Sequence, residues 1–406
     1  YDPTEARLSC LETPDLVARW SRAMERRDPR ILALDDDTII LWFRDDDIDP
    51  TVMALDARTG ETRWTSDPIG RHFADPVREL QQDRGMADLM PSGAAYIPAE
   101  TVPVIGHHTI YLVRRTGEAL AIDRADGHIV KWTQATTLDR VYDVRLHECA
   151  LVLSGMQRGT SPSGRVDLVP RIRVLDPATG ADVQTITPLG DVSPRWLVVS
   201  PLGHLAYGSV AGVQAHDLLS GAVIWSNRGY AVQDSLRGWL VRDHLVVEDQ
   251  GQQLRVLAMR DGIASKPLPL PGRPDWSPID LIGVGEYRES MVTLFEKRLV
   301  MFDDRWSLLG ADIIVDDRSY KQVLFGDDRF VLLNRSNTSQ PRDERGRRRM
   351  KYDYRLYVLS PDGRLLGDPS AMSIYDRPIV DATLLDGWVL LGTADHTRAV
   401  PVPVAP

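Results

Sequence analysis

The chain has 406 residues, 43% of them hydrophobic, and a formal net charge of −10 at pH 7. This negative charge argues against a general nucleic-acid-binding protein, which needs a basic face. No apolar run reaches membrane-spanning length, so no membrane-spanning segment is predicted. The first residue is Tyr, so a signal peptide or lipid anchor preceding this sequence is left open.

A short motif recurs along the chain, first as Asp56-Ala57-Arg58-Thr59-Gly60 with Trp64 after it. An Asp at the start of a turn accepts hydrogen bonds from backbone N–H groups two or three residues on, and the Gly supplies the positive φ that closes a hairpin. Trp64 offers a flat apolar ring that suits packing between neighbouring sheets. The copies are Asp123, Gly127 and Trp132; Asp176 and Gly180, with Thr185 in place of the Trp; Asp217, Gly221 and Trp225; and degenerate forms at 259–262, 302–305 and 359–363.

The copies lie roughly 40 to 65 residues apart, which is typical of propeller blades with insertions. The sequence therefore predicts an all-β fold, an eight-bladed β-propeller of four-stranded antiparallel blades, as a single domain over residues 1–406. The strands predicted for the first seven blades are 31–34, 38–43, 52–56 and 61–65; 102–106, 109–114, 119–122 and 128–133; 141–146, 150–154, 171–175 and 182–187; 196–200, 205–209, 213–216 and 222–226; 238–241, 245–248, 254–258 and 265–268; 281–284, 291–295, 298–302 and 308–313; and 322–325, 330–334, 355–359 and 364–368.

The last predicted blade has only three strands, at 380–385, 388–392 and 398–402. The N-terminal segment Asp15–Ser21 carries Trp20 and matches the fourth strands that carry the other motif tryptophans. We therefore expect residues 1–26 to be a tail plus a closing strand, which pairs with 398–402 and leaves no open gap between blades.

The two cysteines, Cys10 in the tail and Cys149 at the start of a predicted strand, are not brought together by the repeat geometry. We read them as free thiols, with a disulfide between tail and ring as the alternative.

The Asp-x-x-Thr-Gly-x-x-x-Trp series resembles the tryptophan-docking repeat of pyrroloquinoline-quinone (PQQ) dehydrogenases and their non-enzymatic relatives. The latter include the propeller lipoprotein that helps assemble outer-membrane β-barrels. The resemblance covers nearly the whole chain and implies an extracytoplasmic, periplasmic or cell-surface, location; a cytoplasmic one stays open. An enzyme of this family would need calcium ligands, a catalytic Asp and usually a vicinal cysteine pair. The pair is absent, which argues against bound PQQ or calcium, and no cofactor is predicted.

Four long excursions, 44–51, 66–101, 155–170 and 335–354, fall on connections that lie on one face of a propeller. Long loops in a tight fold are usually functional or disordered. Two carry opposite charge, which predicts a docking surface for a protein partner, although solvated loop tips are the alternative. The acidic residues are Asp45, Asp46, Asp47 and Asp49; the basic ones are Arg342, Arg345, Arg347, Arg348, Arg349 and Lys351.

Metal and catalytic candidates are few. Asp45, Asp47 and Asp49 have the alternating spacing that opens a calcium loop, but Pro50 stands where such a loop needs Gly and no Glu closes it. Four histidines fall in turns between first and second strands and read as turn residues too far apart to share one zinc ion: His108, His147, His204 and His244. His72 and His396, on the long-loop face, are better placed for chemistry.

Three functions compete. The first is a non-catalytic scaffold that binds a protein partner through the long-loop face. The second is a lyase or hydrolase acting on a saccharide or small molecule in a central funnel, with His72, His396 or a carboxylate as the base. The third is a PQQ-binding redox protein. The sequence shows no Ser/His/Asp signature, phosphate-binding loop or zinc motif, which favours the scaffold.

Overall fold

The computed structural model describes residues 7–402 except 13–16, 25–28, 35–36, 46–47, 70–101, 115–116, 131–137, 161–165, 231–237, 249–253, 265–267, 269–280, 288–289, 296–297, 304, 315–320, 326–328, 343–347, 361–363, 369, 376–378, 380, 386–387 and 393–396. The chain forms two compact units. Unit one comprises Tyr1–Asp28, Arg58–Gly60 and Leu268–Pro406, and unit two comprises Pro29–Ala57 and Glu61–Pro267.

The chain begins, in unit one, with an antiparallel hairpin of β1 (Arg7–Glu12) and β2 (Val17–Ala23). Five antiparallel sheets follow in unit two, each with its strands in chain order. Their strands are β3 (Pro29–Leu34), β4 (Thr38–Asp45), β5 (Ile48–Asp56) and β6 (Thr62–Thr65); β7 (Val102–Ile105), β8 (Thr109–Val113), β9 (Ala119–Asp123) and β10 (Ile129–Val130); β11 (Arg140–His147), β12 (Ala150–Thr160), β13 (Val166–Leu175) and β14 (Asp182–Ile186); β15 (Trp196–Val199), β16 (His204–Ser209), β17 (Gly212–Asp217) and β18 (Val223–Asn227); and β19 (Trp239–Val241), β20 (His244–Glu248) and β21 (Leu254–Ala258). Short 3-10 turns lie at Leu189–Asp191 and Arg228–Tyr230.

Unit one continues the same pattern with two four-stranded sheets and a sheet of three described strands. The strands are β22 (Leu281–Tyr287), β23 (Ser290–Phe295), β24 (Arg298–Phe302) and β25 (Leu308–Ile314); β26 (Lys321–Phe325), β27 (Phe330–Ser339), β28 (Lys351–Leu359) and β29 (Ser370–Tyr375); and β30 (Asp381–Leu385), β31 (Trp388–Gly392) and β32 (Thr397–Pro401).

The motif closes the hairpin between third and fourth strands as predicted. In the third sheet Asp176 Oδ1 accepts from the Ala178 N–H at 2.7 Å, and the Gly180 N–H donates to the Asp176 carbonyl at 2.8 Å. Gly180 has φ +70°, in the left-handed region that favours glycine. The equivalent glycines of the other copies, Gly60, Gly127 and Gly221, have φ between +68° and +76°. The local chemistry of Asp and Gly therefore specifies each turn.

The motif tryptophans pack one sheet on the next, with Trp64 lying against Gly127 so closely that a Cβ there would overlap its ring. Its Nε1–H donates to the Arg124 carbonyl at 2.8 Å. Trp225 repeats this on Gly262, and its Nε1–H donates to the Met259 carbonyl at 2.8 Å. The apolar core lies between such sheets, where, for example, Val52 and Trp64 of one cluster with Ile110 and Leu120 of the next.

Neighbouring sheets also meet through their first strands. Within unit two β7 contacts β3 and β11, and β15 contacts β11 and β19; within unit one β26 contacts β30. Consecutive four-stranded meanders that share an inner edge in this way have the topology of β-propeller blades. The prediction of an all-β propeller fold is confirmed at this level.

The predicted pairing of the Trp20 segment with 398–402 is not found among the described strands. β2 pairs with β1 instead, in a register that runs from Arg7↔Ala23 to Glu12↔Val17. The tail therefore contains a strand that the motif search missed, because Arg7–Glu12 carries no copy of the repeat. Trp20 nevertheless lies against Gly60, since a Cβ built on Gly60 would lie 2.6 Å from Cδ2 of the Trp20 ring. Both residues are in unit one.

Two further details differ from prediction. The fourth strand of the seventh predicted blade is Ser370–Tyr375 rather than 364–368, which contributes only the isolated bridge Leu359↔Leu365. In the third sheet Gln184, not Thr185, occupies the place of the Trp. It pairs with Val174, as Trp64 pairs with Ala54, because a bulge after each of these positions sets the register. The predicted strand 265–268 lies mostly outside the described residues, as does Trp132.

Candidate functional site

Three hairpins between second and third strands are longer than the rest. β12 and β13 have 11 and 10 residues, β27 and β28 have 10 and 9, and β4 and β5 have 8 and 9, whereas β16 and β17 have 6 each. Within the excursions predicted as loops, residues 155–160 and 166–170 of one and residues 335–339 and 351–354 of the other are therefore strand. The excursion at 66–101 lies outside the described residues from residue 70 onward.

The hairpin of β27 and β28, here called the basic hairpin (residues 335–354), is held firmly at its base. β28 pairs with β27 on one side and with β29 on the other, out to Lys351↔Tyr375. The Arg335 guanidinium lies 6.0 Å from the centre of the Tyr352 ring. Alternation of apolar and polar residues along β28 fits this half-buried ladder.

A polar contact on the same strand fixes Lys351. Its Nζ lies 2.9 Å from Asp353 Oδ1, and the Ser373 hydroxyl donates to that oxygen at 2.5 Å. These donors, the Ser373 hydroxyl first and Lys351 second, lower the pKa of Asp353. The carboxylate therefore stays ionised and links β28 to β29 at the root of the hairpin.

Beyond this root, two arginines face each other across the hairpin. Arg342 and Arg348 form an isolated antiparallel bridge, and the Arg349 N–H donates to the Pro341 carbonyl at 2.9 Å. Arg342, Arg348 and Arg349 are all exposed. Like charges directly opposite each other destabilise an antiparallel pair. An anionic partner at this end would relieve that repulsion, so the arrangement suits binding to an acidic surface.

The acidic candidates lie in the hairpin of β4 and β5. Asp45 pairs with Ile48 and Asp49 lies in β5, while Asp46 and Asp47 lie outside the described residues. The calcium interpretation stays a prediction, because Asp47 lies outside the described residues. Over the part of the chain that the structure describes, no group of three or more His, Cys, Asp or Glu residues is placed to hold a metal ion.

The remaining candidates divide between described and undescribed residues. His72, His396, Arg345 and Arg347 lie outside the described part of the chain. The four turn histidines lie at the connections between first and second strands. His108 lies in the turn itself, and the others are the flanking strand ends: His147, His204 and His244. No disulfide joins Cys10 and Cys149. Sequence reasoning missed the contact of His147 with Cys149, whose Sγ lies 3.1 Å from Nδ1 of the ring. Their separation by one residue was the available signal.

No family model and no curated protein matches this chain. Among solved structures, BamB from Moraxella catarrhalis is similar over 88% of this chain and 86% of its own, at 13% identity and a TM-score of 0.43. The computationally designed Ika8 protein is similar over 76% of this chain and 98% of its own, at 12% identity and a TM-score of 0.45. PorZ, a surface component of the type-IX secretion system of Porphyromonas gingivalis, is similar at 15% identity and a TM-score of 0.39, over 76% of this chain but 38% of PorZ. At such low identities and TM-scores these likenesses carry no argument about function.

Among the described residues, no helix has the length and apolar character needed to cross a membrane.

Proposed function

We propose that this chain is a non-catalytic interaction scaffold that binds an acidic protein partner through the basic hairpin. The observation that carries the proposal is the exposed pair Arg342 and Arg348, held opposite each other at the end of a hairpin braced by β29. A chain with net charge −10 that concentrates arginines on one hairpin is suited to electrostatic recognition of a partner. An extracytoplasmic location, implied by the repeat, is part of the proposal.

Charge reversal tests this proposal. The double variant Arg342→Glu and Arg348→Glu changes two exposed side chains and leaves the ladder of β27 and β28 intact, whereas deleting the hairpin would also remove core strand. Arg305→Glu with Arg364→Glu is the matched control. Both of these arginines are exposed and in unit one, but they follow third strands, at the other end of their sheets.

Tagged protein is purified from its native host after brief crosslinking, and co-purifying proteins are quantified by mass spectrometry. Proteins captured by the unmodified chain are expected to fall at least about tenfold with the hairpin variant and to be retained by the control, because close charge pairs at an interface contribute on the order of 1.5 kcal/mol or more. Equal capture by all three chains would refute the proposal.

We also propose that the hairpin β1–β2 takes the place of the missing outer strand beside β30–β32, so that the sheets form one eight-bladed propeller. The contact of Trp20 with Gly60 supports this, because it repeats those of Trp64 with Gly127 and Trp225 with Gly262. A Trp20→Ala variant should then lower the urea unfolding midpoint about as much as Trp64→Ala. A loss no greater than that from an exposed surface substitution would count against eight blades.

A further inference from the structure

The turn between β11 and β12 brings a thiol and an imidazole together. His147 pairs with Ala150, so Glu148 and Cys149 form a two-residue turn. Cys149 Sγ lies 3.1 Å from His147 Nδ1, within hydrogen-bond reach for sulfur. Cys149 is exposed and His147 is partly exposed, so a reagent in solution can approach the sulfur.

The other ring nitrogen fixes the protonation pattern of His147. Its Nε2 lies 3.2 Å from the Pro201 carbonyl oxygen, in the turn between β15 and β16 of the next sheet. A carbonyl only accepts, so the hydrogen of the neutral ring resides on Nε2. The lone pair of Nδ1 then faces both the thiol, at 3.1 Å, and the Cys149 backbone N–H, at 3.4 Å. A nucleophile, a base within reach and a third group that orients the base form the arrangement of an activated cysteine.

We propose that Cys149 is a nucleophilic thiol, activated by His147, that reacts with low-molecular-weight disulfides to form a mixed disulfide. The thiol proton passes to His147 Nδ1, and the sulfur attacks one sulfur of the disulfide. As the new S–S bond forms, the old one breaks. The leaving sulfur departs as a thiolate and takes the proton from the imidazolium. The electron pair of the old S–S bond leaves with the departing sulfur, which is reduced as the Cys149 sulfur is oxidised, so no further oxidant is needed.

The incoming disulfide has to come from outside the chain. A disulfide substrate needs two sulfurs besides that of Cys149, and the sequence contains only one other cysteine, Cys10. The site therefore acts as a point of reversible modification. It is independent of the proposed partner-binding function, because it uses none of the residues of the basic hairpin.

The test follows the reaction with 5,5′-dithiobis(2-nitrobenzoic acid) and with oxidised glutathione on the full chain. A Cys10→Ser variant isolates Cys149, and a Cys149→Ser variant isolates Cys10. Peptide mass spectrometry of the glutathione reaction identifies the modified residue. Each rate is measured on the folded protein and again in urea, where either cysteine is an ordinary exposed thiol.

Folding alone can only restrict access to a thiol, so a folded rate above the unfolded rate reports activation. We expect Cys149 to react at least about tenfold faster folded than unfolded and Cys10 to react more slowly when folded. In the Cys10→Ser background, His147→Gln should abolish that gain while circular dichroism confirms the fold. A folded rate for Cys149 at or below its unfolded rate would overturn the proposal even if the His147 variant did not fold, as would a gain that survives loss of the imidazole.

Discussion

Two kinds of contact join neighbouring sheets in unit two. The first sheet docks on the second through Trp64, and the fourth on the fifth through Trp225, each over a motif glycine. The third sheet docks on the fourth through Gln184, whose amide lies against Gly221 so closely that a Cβ there would overlap it. The register is the same, with Gln184 opposite Val174 and Trp225 opposite Ala215. The receiving glycine therefore accommodates any flat side chain, an amide as well as an indole.

The interface that lacks the indole has polar contacts across it. Arg145 Nε donates to the Leu197 carbonyl at 3.3 Å, and His147 contacts the Pro201 carbonyl, so two side chains of β11 reach the fourth sheet. At each tryptophan interface a buried ring packs on the next sheet and its Nε1–H donates to a carbonyl there. The comparison indicates that hydrogen bonds between the sheets replace buried apolar area where the docking tryptophan is absent. Substitutions at each interface can test this.

The largest effect is expected at a tryptophan interface. Trp225 is 9% exposed and its Nε1–H is bonded to Met259, so Trp225→Ala should cost about 3–5 kcal/mol of unfolding free energy. Trp225→Phe keeps an aromatic ring and loses the donor, and should cost nearer 1–2 kcal/mol. Urea unfolding followed by circular dichroism measures both. If alanine and phenylalanine cost the same, the ring does not hold the interface.

The sequence predicted the hairpins well because their causes are local. Asp176 accepts from N–H groups of its own turn and Gly180 adopts a positive φ that favours glycine, and both needs are visible in five consecutive residues. The docking residue of the third sheet was misplaced by one, to Thr185, because a bulge between Val174 and Leu175 shifts the register and leaves no mark in composition.

The sequence predicted the charge of the candidate site but not the strands that carry it. The arginines of the basic hairpin are evident from the sequence, whereas the strands beneath them were read as loop, although Tyr352 and Tyr354 alternate with polar residues in β28. The pairing of β1 with β2 and the contact of His147 with Pro201 both join segments that share no motif. Such contacts depend on packing between elements, which a pattern within one element does not encode.

A smaller effect is expected from installing an indole at the interface that lacks one. Gln184→Trp places a ring over Gly221 and should raise the unfolding free energy by about 1 kcal/mol, because more apolar area is buried. Thr185→Trp is the matched control, since successive side chains of a strand point to opposite faces. Thr185 is exposed, so its replacement should add no stability. Equal gains from both variants would show that the effect is not specific to docking.

The smallest effect concerns the turn that receives Gln184. The Ser220 hydroxyl and backbone N–H donate to Asp217 Oδ1 at 2.6 and 2.8 Å and lower the pKa of that carboxyl. Because the folded pKa lies below the unfolded value of about 3.9, this contribution is present above that pH and is lost as pH falls through the folded pKa.

Ser220→Ala removes the largest cause of the lowered pKa and should flatten the loss of stability between roughly pH 5 and 3. The change is expected to be only a few tenths of a kcal/mol, because Asp217 is partly exposed and solvent screens it. Thr179→Ala in the preceding sheet is the matched control, since that hydroxyl accepts from the Ala181 N–H instead of donating to the motif Asp. As pH falls through this range, the urea midpoint of Ser220→Ala should therefore approach that of the unmodified chain. The midpoint of Thr179→Ala should stay a constant distance from it. Parallel curves for both would mean that the hydroxyl holds the turn in place without stabilising the charge.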